Sequence, residues 1–446
     1  MSERSRRVSE TALRRLVPAL ATMAAVVTTQ AILGLSPALA LTERPGNTYM
    51  TNGKVYATAH SADGRILYIG GNFDEVSKRP SETAGASLPV SNVAAINIKT
   101  GVPVRTWRPE VSGNGAVVRS LAVKNGRVYI GGNFTAVEGQ PRKNLAAVRA
   151  NTAGTRLLSF DPRVGGDASY VYALATDRSK LYAGGGFSKV DGAVHRNLAA
   201  FSLKTGALNP DWKPATGAAS TCTSHRCSAK VRALKLGPQG TSIFAGGSFS
   251  KITGSNGKSH RRQSVARVYT KSGNVHPWRI PEKTIDGPQT AWDLTASHGT
   301  LYGGFGAKRN FVAAFHIDKG KRGKQIWRFL TLGNVQTVAL APDRSRLFFG
   351  GHFGLNKFNQ KVCKGHKRLR GLASVKPTTG RLFCDFTPSL DQRRRPSYEG
   401  AWTLTATRSY LWVGGGFIGV SDSKNRRPVG NGVTDVPQTN LARFRF

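Results

Sequence analysis

The sequence is poor in acidic residues and in cysteine, and it has no helical periodicity after its first forty residues. Only 24 of its 446 residues are Asp or Glu, against 65 Lys and Arg, so the formal net charge is +41. Four Cys are too few for a scaffold built on disulfides. The lack of a second long apolar run excludes a multi-span membrane protein, and a hydrophobic content of 39% excludes a disordered chain.

The first forty residues predict a secretory signal peptide. Five arginines precede an apolar run from Leu16 to Leu35, and Ala38 and Ala40 stand at the two positions that signal peptidase needs. An uncleaved membrane anchor is the alternative. Residues 41–446 keep a net charge of +38, because residues 1–40 carry five basic and two acidic side chains. We therefore expect residues 41–446 to form one domain of a secreted protein, extracellular or associated with the cell wall.

One sequence block recurs through the rest of the chain. It consists of V-x-A-L, a turn, and an aromatic strand that ends in Gly-Gly-x-Phe, followed by a basic loop and a third strand. A turn of the Thr-Gly type then leads to an aromatic residue, as at Trp107. A shifted copy occurs at Gly303-Gly304-Phe305, where the loop is nearly absent and we expect a thin sheet. The other copies end at Phe73, Phe134, Phe187, Phe249, Phe353 and Phe417.

These repeats predict an all-β fold, a seven-bladed β-propeller with four-stranded blades. Each repeat holds four short strands with period-two alternation and Gly-rich breaks. One such sheet cannot bury both of its faces alone, whereas seven arranged radially can. The last copy stops at Phe446 after its third strand. We expect the segment Thr42–Pro45 to supply the missing outer strand and to close the ring.

The repeats resemble the delta-sixty repeat of bacterial secreted and surface proteins. The resemblance covers essentially all of residues 41–446 in seven copies, and it is carried most clearly by the strings FDPRVGGDASYVYALATDRSKLYAGGGF (160–187) and GAVHRNLAAFSLKTGALNPDW (192–212). The Gly-Gly-Asn-Phe strand ends are also similar to kelch-like repeats. The resemblance implies a propeller and no common activity.

The second position of V-x-A-L predicts a ring of side chains at the mouth of a central channel. Aromatic rings interleaved with Arg and Gln can stack on sugars or bases while a guanidinium binds an anion. Packing between blades is the alternative role for these residues. We name them the funnel residues: Tyr56, Arg119, Tyr172, Arg232, Trp292, Gln336 and Trp402.

Basic residues recur in the loop before the third strand. The loop and the link between blades share one face of a propeller, so these cations predict a positive face that attracts polyanions. A structural role within the blade is the alternative for each single residue. We name them the basic loop residues: Lys143, Arg196, Arg262, Arg309, Arg370, Arg426 and Arg427.

The cysteines predict two local disulfides, Cys222–Cys227 and Cys363–Cys384, in an oxidising compartment. His225 and His366 each follow a cysteine by three residues, but zinc would need half-sites from different blades to meet. No nucleophile elbow, phosphate loop or zinc-protease helix is found. We expect no metal, no cofactor and no catalytic residue.

The sequence thus favours a secreted, non-enzymatic propeller, monomeric, that binds an anionic cell-envelope polymer or another polyanion. The sequence has no motif for specific recognition of nucleic acids. One alternative is an enzyme, a hydrolase, lyase or oxidoreductase, with its site in the axial funnel. Another is a scaffold that binds proteins at the cell surface and uses its charge for solubility.

Overall fold

The strands of this protein are short and antiparallel, and they lie in one compact unit, Ala38–Phe446. A computed structural model describes residues 41–42, 44–78, 87–150, 153–166, 169–217, 229–285, 289–318, 320, 323–354, 363, 370–391, 400–422 and 436–446. The predicted signal peptide, Cys222, Cys227, Arg426 and Arg427 lie outside these residues. The described residues contain two 3-10 helices, Pro238–Gly240 and Glu282–Thr284, and no α-helix. None of the helices in this part of the chain is long and apolar enough to span a membrane.

Seven sheets repeat one plan, in which the second strand lies between the first and the third. The second strands are buried almost throughout, as in Ile66–Gly71, so both faces of each sheet are covered. The strands are Val55–His60, Ile66–Gly71 and Val93–Asn97 (sheet 1); Val117–Lys124, Arg127–Asn133 and Leu145–Arg149 (sheet 2); Val171–Thr176, Lys180–Gly185 and Leu198–Ser202 (sheet 3); Lys230–Leu236, Ser242–Ser248 and Val265–Tyr269 (sheet 4); Gln289–Ser297, Thr300–Ala307, Asn310–His316 and Gln325–Thr331 (sheet 5); Val335–Leu340, Leu347–Gly354 and Arg370–Val375 (sheet 6); and Gly400–Ala406, Tyr410–Gly416 and Leu441–Arg445 (sheet 7).

Sheet 5 is the sheet that contains a regular fourth strand, so the expectation of a thin sheet there is wrong. Its second and third strands are joined by only two residues and pair from Thr300 and His316 to Phe305 and Phe311. The third strand pairs in turn with Gln325–Thr331 along its length. In sheets 1, 2, 3, 4 and 6 the fourth strand is reduced to one bridge. In sheet 7 its place is taken by the predicted N-terminal segment. There the amides of Thr42 and Gly46 donate to the carbonyls of Arg445 and Arg443 at 3.0 and 2.8 Å.

Five small sheets lie beside the large ones. Each pairs the link that leads into a first strand with the loop between the second and third strands of the same repeat, so link and loop are at the same end of the repeat. They consist of Met50–Thr51, Glu75–Ser77 and Leu88–Pro89; Val111–Ser112, Ala136–Val137 and Gln140–Pro141; Val164–Gly165, Lys189–Val190 and Ala193–Val194; Ala215–Gly217, Lys251–Thr253 and Ser259–Arg261; and Pro388–Asp391, Gly419–Asp422 and Val436–Pro437.

Consecutive sheets pack against each other through one glycine position. In six sheets the first glycine of the Gly-Gly pair faces the first strand of the next sheet, and in sheet 5, where the pair is shifted, Gly304 does so. A Cβ added at Gly70 would lie 2.4 Å from Cγ1 of Val118. Gly414 of sheet 7 faces Val55 of sheet 1 in the same way, at 2.6 Å. Because equivalent positions meet at every step, all seven first strands start at the same end. Seven clusters of buried apolar side chains fill the spaces between successive sheets, the seventh lying between sheets 7 and 1.

A disulfide links Cys363 and Cys384, as the sequence predicted for this pair. Cys363 is 1% exposed and packs with the apolar residues between sheets 5 and 6. The bond fixes part of the long loop before the third strand of sheet 6 to the turn that follows that strand. Cys363 is thereby tied to the packed part of the repeat.

Candidate functional site

The funnel residues share one backbone feature, a β-bulge near the start of each first strand. In sheet 1, Val55 pairs with Gly71 and Ala57 with Gly70, so Tyr56 has no partner across the ladder. The same skip occurs at the funnel residue of each of the other six sheets. A bulge re-aims the side chain of the extra residue. In six sheets it lies opposite the Gly-Gly pair of the repeat, and in sheet 5 it lies opposite Gly304 and Phe305.

The bulges bring the seven funnel residues to the wall of one cavity of about 600 Å³. This volume lies within the range of about 300–1,000 Å³ that is usual for small-ligand sites. The sequence predicted a common ring from the repeat alone, and the structure places all seven residues together. The cavity continues along the first strands, and its wall also contains Lys235, Asp293, Thr337 and Arg344.

Two arginines of the ring lie on aromatic faces. The guanidinium carbon of Arg119 is 4.3 Å from the ring centre of Tyr56. That of Arg232 is 4.9 Å from the ring centre of Tyr172 and 4.3 Å from that of Trp292. Burial lowers the pKa of Arg232, and the charge of Arg119 lowers it further, so the two cations interact. These contacts hold both guanidinium groups in place through π-faces.

Two further contacts of the ring are between aromatic edges and faces. The rings of Tyr56 and Trp402 are 5.3 Å apart with an interplanar angle of 70°, and those of Trp292 and Trp402 are 6.1 Å apart at 76°. Tyr170, which sequence reasoning did not single out, stacks on Tyr172 with centroids 5.4 Å apart. The aromatic residues thus pack on each other and also line the cavity, so packing is confirmed for them and ligand binding stays a prediction.

Several polar groups of the ring have no hydrogen-bond partner among the described residues. These are both amide atoms of Gln336, which is 4% exposed, the indole Nε1 of Trp292, and the Nε atoms of Arg119 and Arg232. A buried polar group without a partner costs about 1–3 kcal/mol. Since these residues line the cavity, water or a ligand in the cavity is the available source of partners.

Asp293 is the one carboxylate among the residues that line the cavity, and it was missed at the sequence level. It follows Trp292 directly, at a position where the other six repeats have Ala, Ser or Thr. Its Oδ2 accepts hydrogen bonds from the amide of Val338 at 2.9 Å and the hydroxyl of Thr337 at 3.1 Å, and its Oδ1 accepts from the amide of Leu294 at 2.8 Å. Burial nevertheless raises the pKa of Asp293 to about 6.

The raised pKa of Asp293 predicts a pH-dependent effect of Asp293→Asn. Between about pH 4 and pH 6 the folded protein binds a proton that the unfolded chain has released, so this group's contribution to the free energy of unfolding falls as the pH rises. The side chain in the variant Asp293→Asn does not titrate, so the variant's free energy of unfolding does not fall in this way. We expect the variant's free energy of unfolding, relative to the original protein, to be about 2 kcal/mol more favourable at pH 7 than at pH 4. Urea unfolding of both proteins at pH 4 and at pH 7 measures this difference.

The substitution also removes a hydrogen bond, and comparing the two pH values cancels the cost of that loss. The amide NH2 cannot accept from a backbone N–H, so one hydrogen bond is lost, at the same cost at both pH values. Asp63→Asn is the control, because hydrogen bonds from the hydroxyl of Ser61 and the amide of Arg65 lower the pKa of Asp63. Its relative stability should change with pH in the opposite direction. An equal effect of Asp293→Asn at pH 4 and pH 7 would contradict the prediction.

Four of the basic loop residues are exposed at the end where the first strands start. Lys143 and Arg196 stand two residues before their third strands, Arg309 stands directly before one, and Arg370 begins one. Arg426 and Arg427 lie outside the described residues. The four exposed cations therefore come from sheets 2, 3, 5 and 6 and lie at the end of the repeats where the bulges are.

Arg262 differs from the other four basic loop residues that the structure describes, because its side chain is buried. It stands three residues before Val265, and its guanidinium donates to the carbonyls of Arg261 and His276. Arg262 is only 8% exposed, because it occupies the position of Arg142 in sheet 2, whose side chain also bonds to backbone carbonyls. For Arg262, therefore, the alternative role is confirmed: its side chain stabilises its own repeat.

No protein-family model matches the chain, and no curated protein matches it in sequence. Within the described ranges, no group of three His, Cys, Asp or Glu side chains is placed to hold a metal ion. The chemistry of the site therefore has to be inferred from its own residues, which are cationic, aromatic and amide groups around one cavity.

Proposed function

We propose that this protein is a secreted, seven-bladed β-propeller that binds an anionic polymer at the end where its first strands start. The proposal of a propeller is supported by the packing of seven similar sheets in sequence, with sheet 7 against sheet 1. It is also supported by the N-terminal segment, whose hydrogen bonds to Arg443 and Arg445 give sheet 7 an outer edge. The disulfide between Cys363 and Cys384 supports secretion.

One observation carries the proposal of polymer binding: exposed cations recur at one end of the repeats and surround a cavity with further cations. With 65 basic and 24 acidic side chains, at least 41 cations cannot have a carboxylate of their own. Lys143, Arg196, Arg309 and Arg370 belong to different sheets, so their charges are spread around the cavity mouth. A polymer with repeated negative charge can contact several of them at once, and its counterions are released on binding.

The experiment compares two variants with the same change in net charge. In the first, Lys143, Arg196, Arg309 and Arg370 are all replaced by Glu. In the second, the matched control, Arg178, Lys204, Lys376 and Arg408 are replaced by Glu; these residues are exposed in turns at the other end of the strands. Binding of the purified protein to polygalacturonate and to dextran sulfate is measured over a series of salt concentrations, with neutral dextran as the blank.

The first variant is expected to lose most of its affinity, and its slope of log affinity against log salt should decrease by about three to four, one for each lost cation. The control variant should keep most of its affinity and its slope. Equal losses in the two variants would show that net charge alone drives binding. Unchanged binding by the first variant, with its fold intact by circular dichroism, would overturn the proposal.

A further inference from the structure

The strongest unassigned feature of the molecule is the hydrogen-bonding capacity of the cavity wall. The guanidinium groups of Arg119 and Arg232 make no hydrogen bond and no ion pair with the residues that the structure describes, although each is partly buried. The cavity wall contains four cationic side chains and one carboxylate, and that carboxylate is occupied by three hydrogen bonds of its own. An anion in the cavity would therefore meet two fixed guanidinium groups with free donors.

A simple anion would leave the other polar groups of the funnel residues without hydrogen-bond partners. Gln336 offers both a donor and an acceptor without partners, and it comes from sheet 6, between the sheets that carry Trp292 and Trp402. An amide of this kind matches a group that both donates and accepts, as a hydroxyl does. The indole N–H of Trp292 adds one more donor without a partner. The ligand that satisfies these groups carries negative charge, several acceptors and hydroxyl groups on one small frame.

The geometry points to an anionic sugar: we propose that the cavity binds a pyranose that carries a carboxylate or a phosphate, with its charge at Arg119 and Arg232 and its hydroxyl groups at Gln336. This inference rests on the proposed function, because the sugar would be one unit of the bound polymer. The inference goes beyond the proposed function because it names the chemical class of that unit. The volume of about 600 Å³ has room for one such unit with water or for two.

The arrangement of the aromatic rings favours a sugar over a nucleotide base. A flat base needs an open aromatic face, but guanidinium groups lie on Tyr56, Tyr172 and Trp292. Trp402 meets its aromatic neighbours at 70° and 76°, and the one parallel pair beside the cavity, Tyr170 and Tyr172, is closed by its own stacking at 5.4 Å, so neither arrangement encloses a base. The C–H faces of a pyranose can pack against ring edges and faces at these angles, and its hydroxyl groups match the polar wall.

The test measures binding of small probes by calorimetry at an ionic strength of about 0.5 M, where exposed charges are screened. The probes are glucuronate and glucose 6-phosphate, with glucose, inorganic phosphate and adenosine 5′-monophosphate as comparisons. We expect one or both anionic sugars to bind at least about tenfold more tightly than glucose and than phosphate. The preferred anionic sugar then identifies whether the polymer supplies a carboxylate or a phosphate.

Three variants locate the site. The pair Arg119→Gln and Arg232→Gln should weaken the binding of the preferred anionic sugar by about tenfold or more and leave glucose unchanged. Gln336→Leu should weaken the binding of both the preferred anionic sugar and glucose. This variant should fold, because the substitution removes buried polar atoms that have no partners. The variant with Glu at Lys143, Arg196, Arg309 and Arg370 should keep small-probe binding, because those residues lie outside the cavity wall.

The outcomes separate this inference from the proposed function. If the anionic sugars bind no more tightly than glucose while polygalacturonate still binds, the inference is wrong and the polymer proposal stands. If adenosine 5′-monophosphate binds more tightly than both sugars, the cavity is a nucleotide site and the inference is wrong. If Gln336→Leu folds and binds the preferred anionic sugar as before, the assignment of hydroxyl groups to Gln336 is overturned.

Discussion

Replacing Arg443 with Ala is expected to lower the free energy of unfolding by about 3 kcal/mol. Arg443 lies in the last strand of sheet 7 and is 7% exposed. Its Nη1 donates to the carbonyls of Ile98 and Lys99 at 2.9 and 3.1 Å, and its Nη2 donates to the carbonyl of Thr100 at 3.1 Å. These three carbonyls form the turn after the third strand of sheet 1, so one side chain joins the last sheet to the first.

Arg445→Ala is the matched control for this prediction. Arg445 lies two residues further along the same strand, its side chain is exposed, and its contacts with Thr42 are made by its backbone carbonyl and amide. It should change the free energy of unfolding by less than about 0.5 kcal/mol in urea unfolding followed by tryptophan fluorescence. Similar effects of the two substitutions would mean that the contact between sheets 7 and 1 adds little to stability.

Gly351→Ala is expected to destabilise the protein by about 3 kcal/mol or more. Gly351 is the second glycine of the Gly-Gly pair in sheet 6 and faces the bulge at Gln336. A Cβ there would lie 2.1 Å from the carbonyl oxygen of Asn334 and 3.1 Å from the amide nitrogen of Gln336. Both are backbone atoms of the neighbouring strand, so no side-chain rotation relieves the clash. The bulge would have to move, and with it the wall of the cavity.

Gly354→Ala in the same strand is the control. Its added Cβ would have no atom within 4 Å, and Gly354 has no positive φ that an L residue would find strained. We expect its free energy of unfolding to be within about 0.5 kcal/mol of the original value. If Gly351→Ala is equally well tolerated, the Gly-Gly pair is not required by the bulge. Cysteine labelling at position 336 in the Gly351→Ala background would then report whether the cavity wall has shifted.

The sequence was sufficient to predict the ring of funnel residues because the repeat gives the register. V-x-A-L and Gly-Gly recur in each copy, so one alignment of the copies selects one position in each sheet. The β-bulge that turns these residues toward the cavity was not predicted. It depends on pairing between two strands, and a glycine pair by itself is also compatible with a tight turn. The disulfide Cys363–Cys384 was predicted from the positions of the two cysteines in one repeat and from the oxidising compartment that the predicted signal peptide implies.

Other features could not be predicted because they depend on neighbours in space. Arg262 reads as another cation before a third strand, but the loop of its repeat is shifted by one residue, and the side chain is buried against backbone carbonyls. Asp293 was visible as the one acid in its alignment column. Its raised pKa arises from burial among strands of sheets 5 and 6, which no alignment shows. The bonds of Arg443 join positions more than 340 residues apart.

The seven bulges have a consequence for protein engineering. Each funnel residue is left out of strand pairing, and each comes from a different repeat, so a substitution there alters the cavity wall and the contacts between neighbouring funnel residues without altering a ladder. The order of the residues in the chain is also their order from sheet to sheet. A library that randomises these seven codons would therefore sample new binding specificities on a constant scaffold.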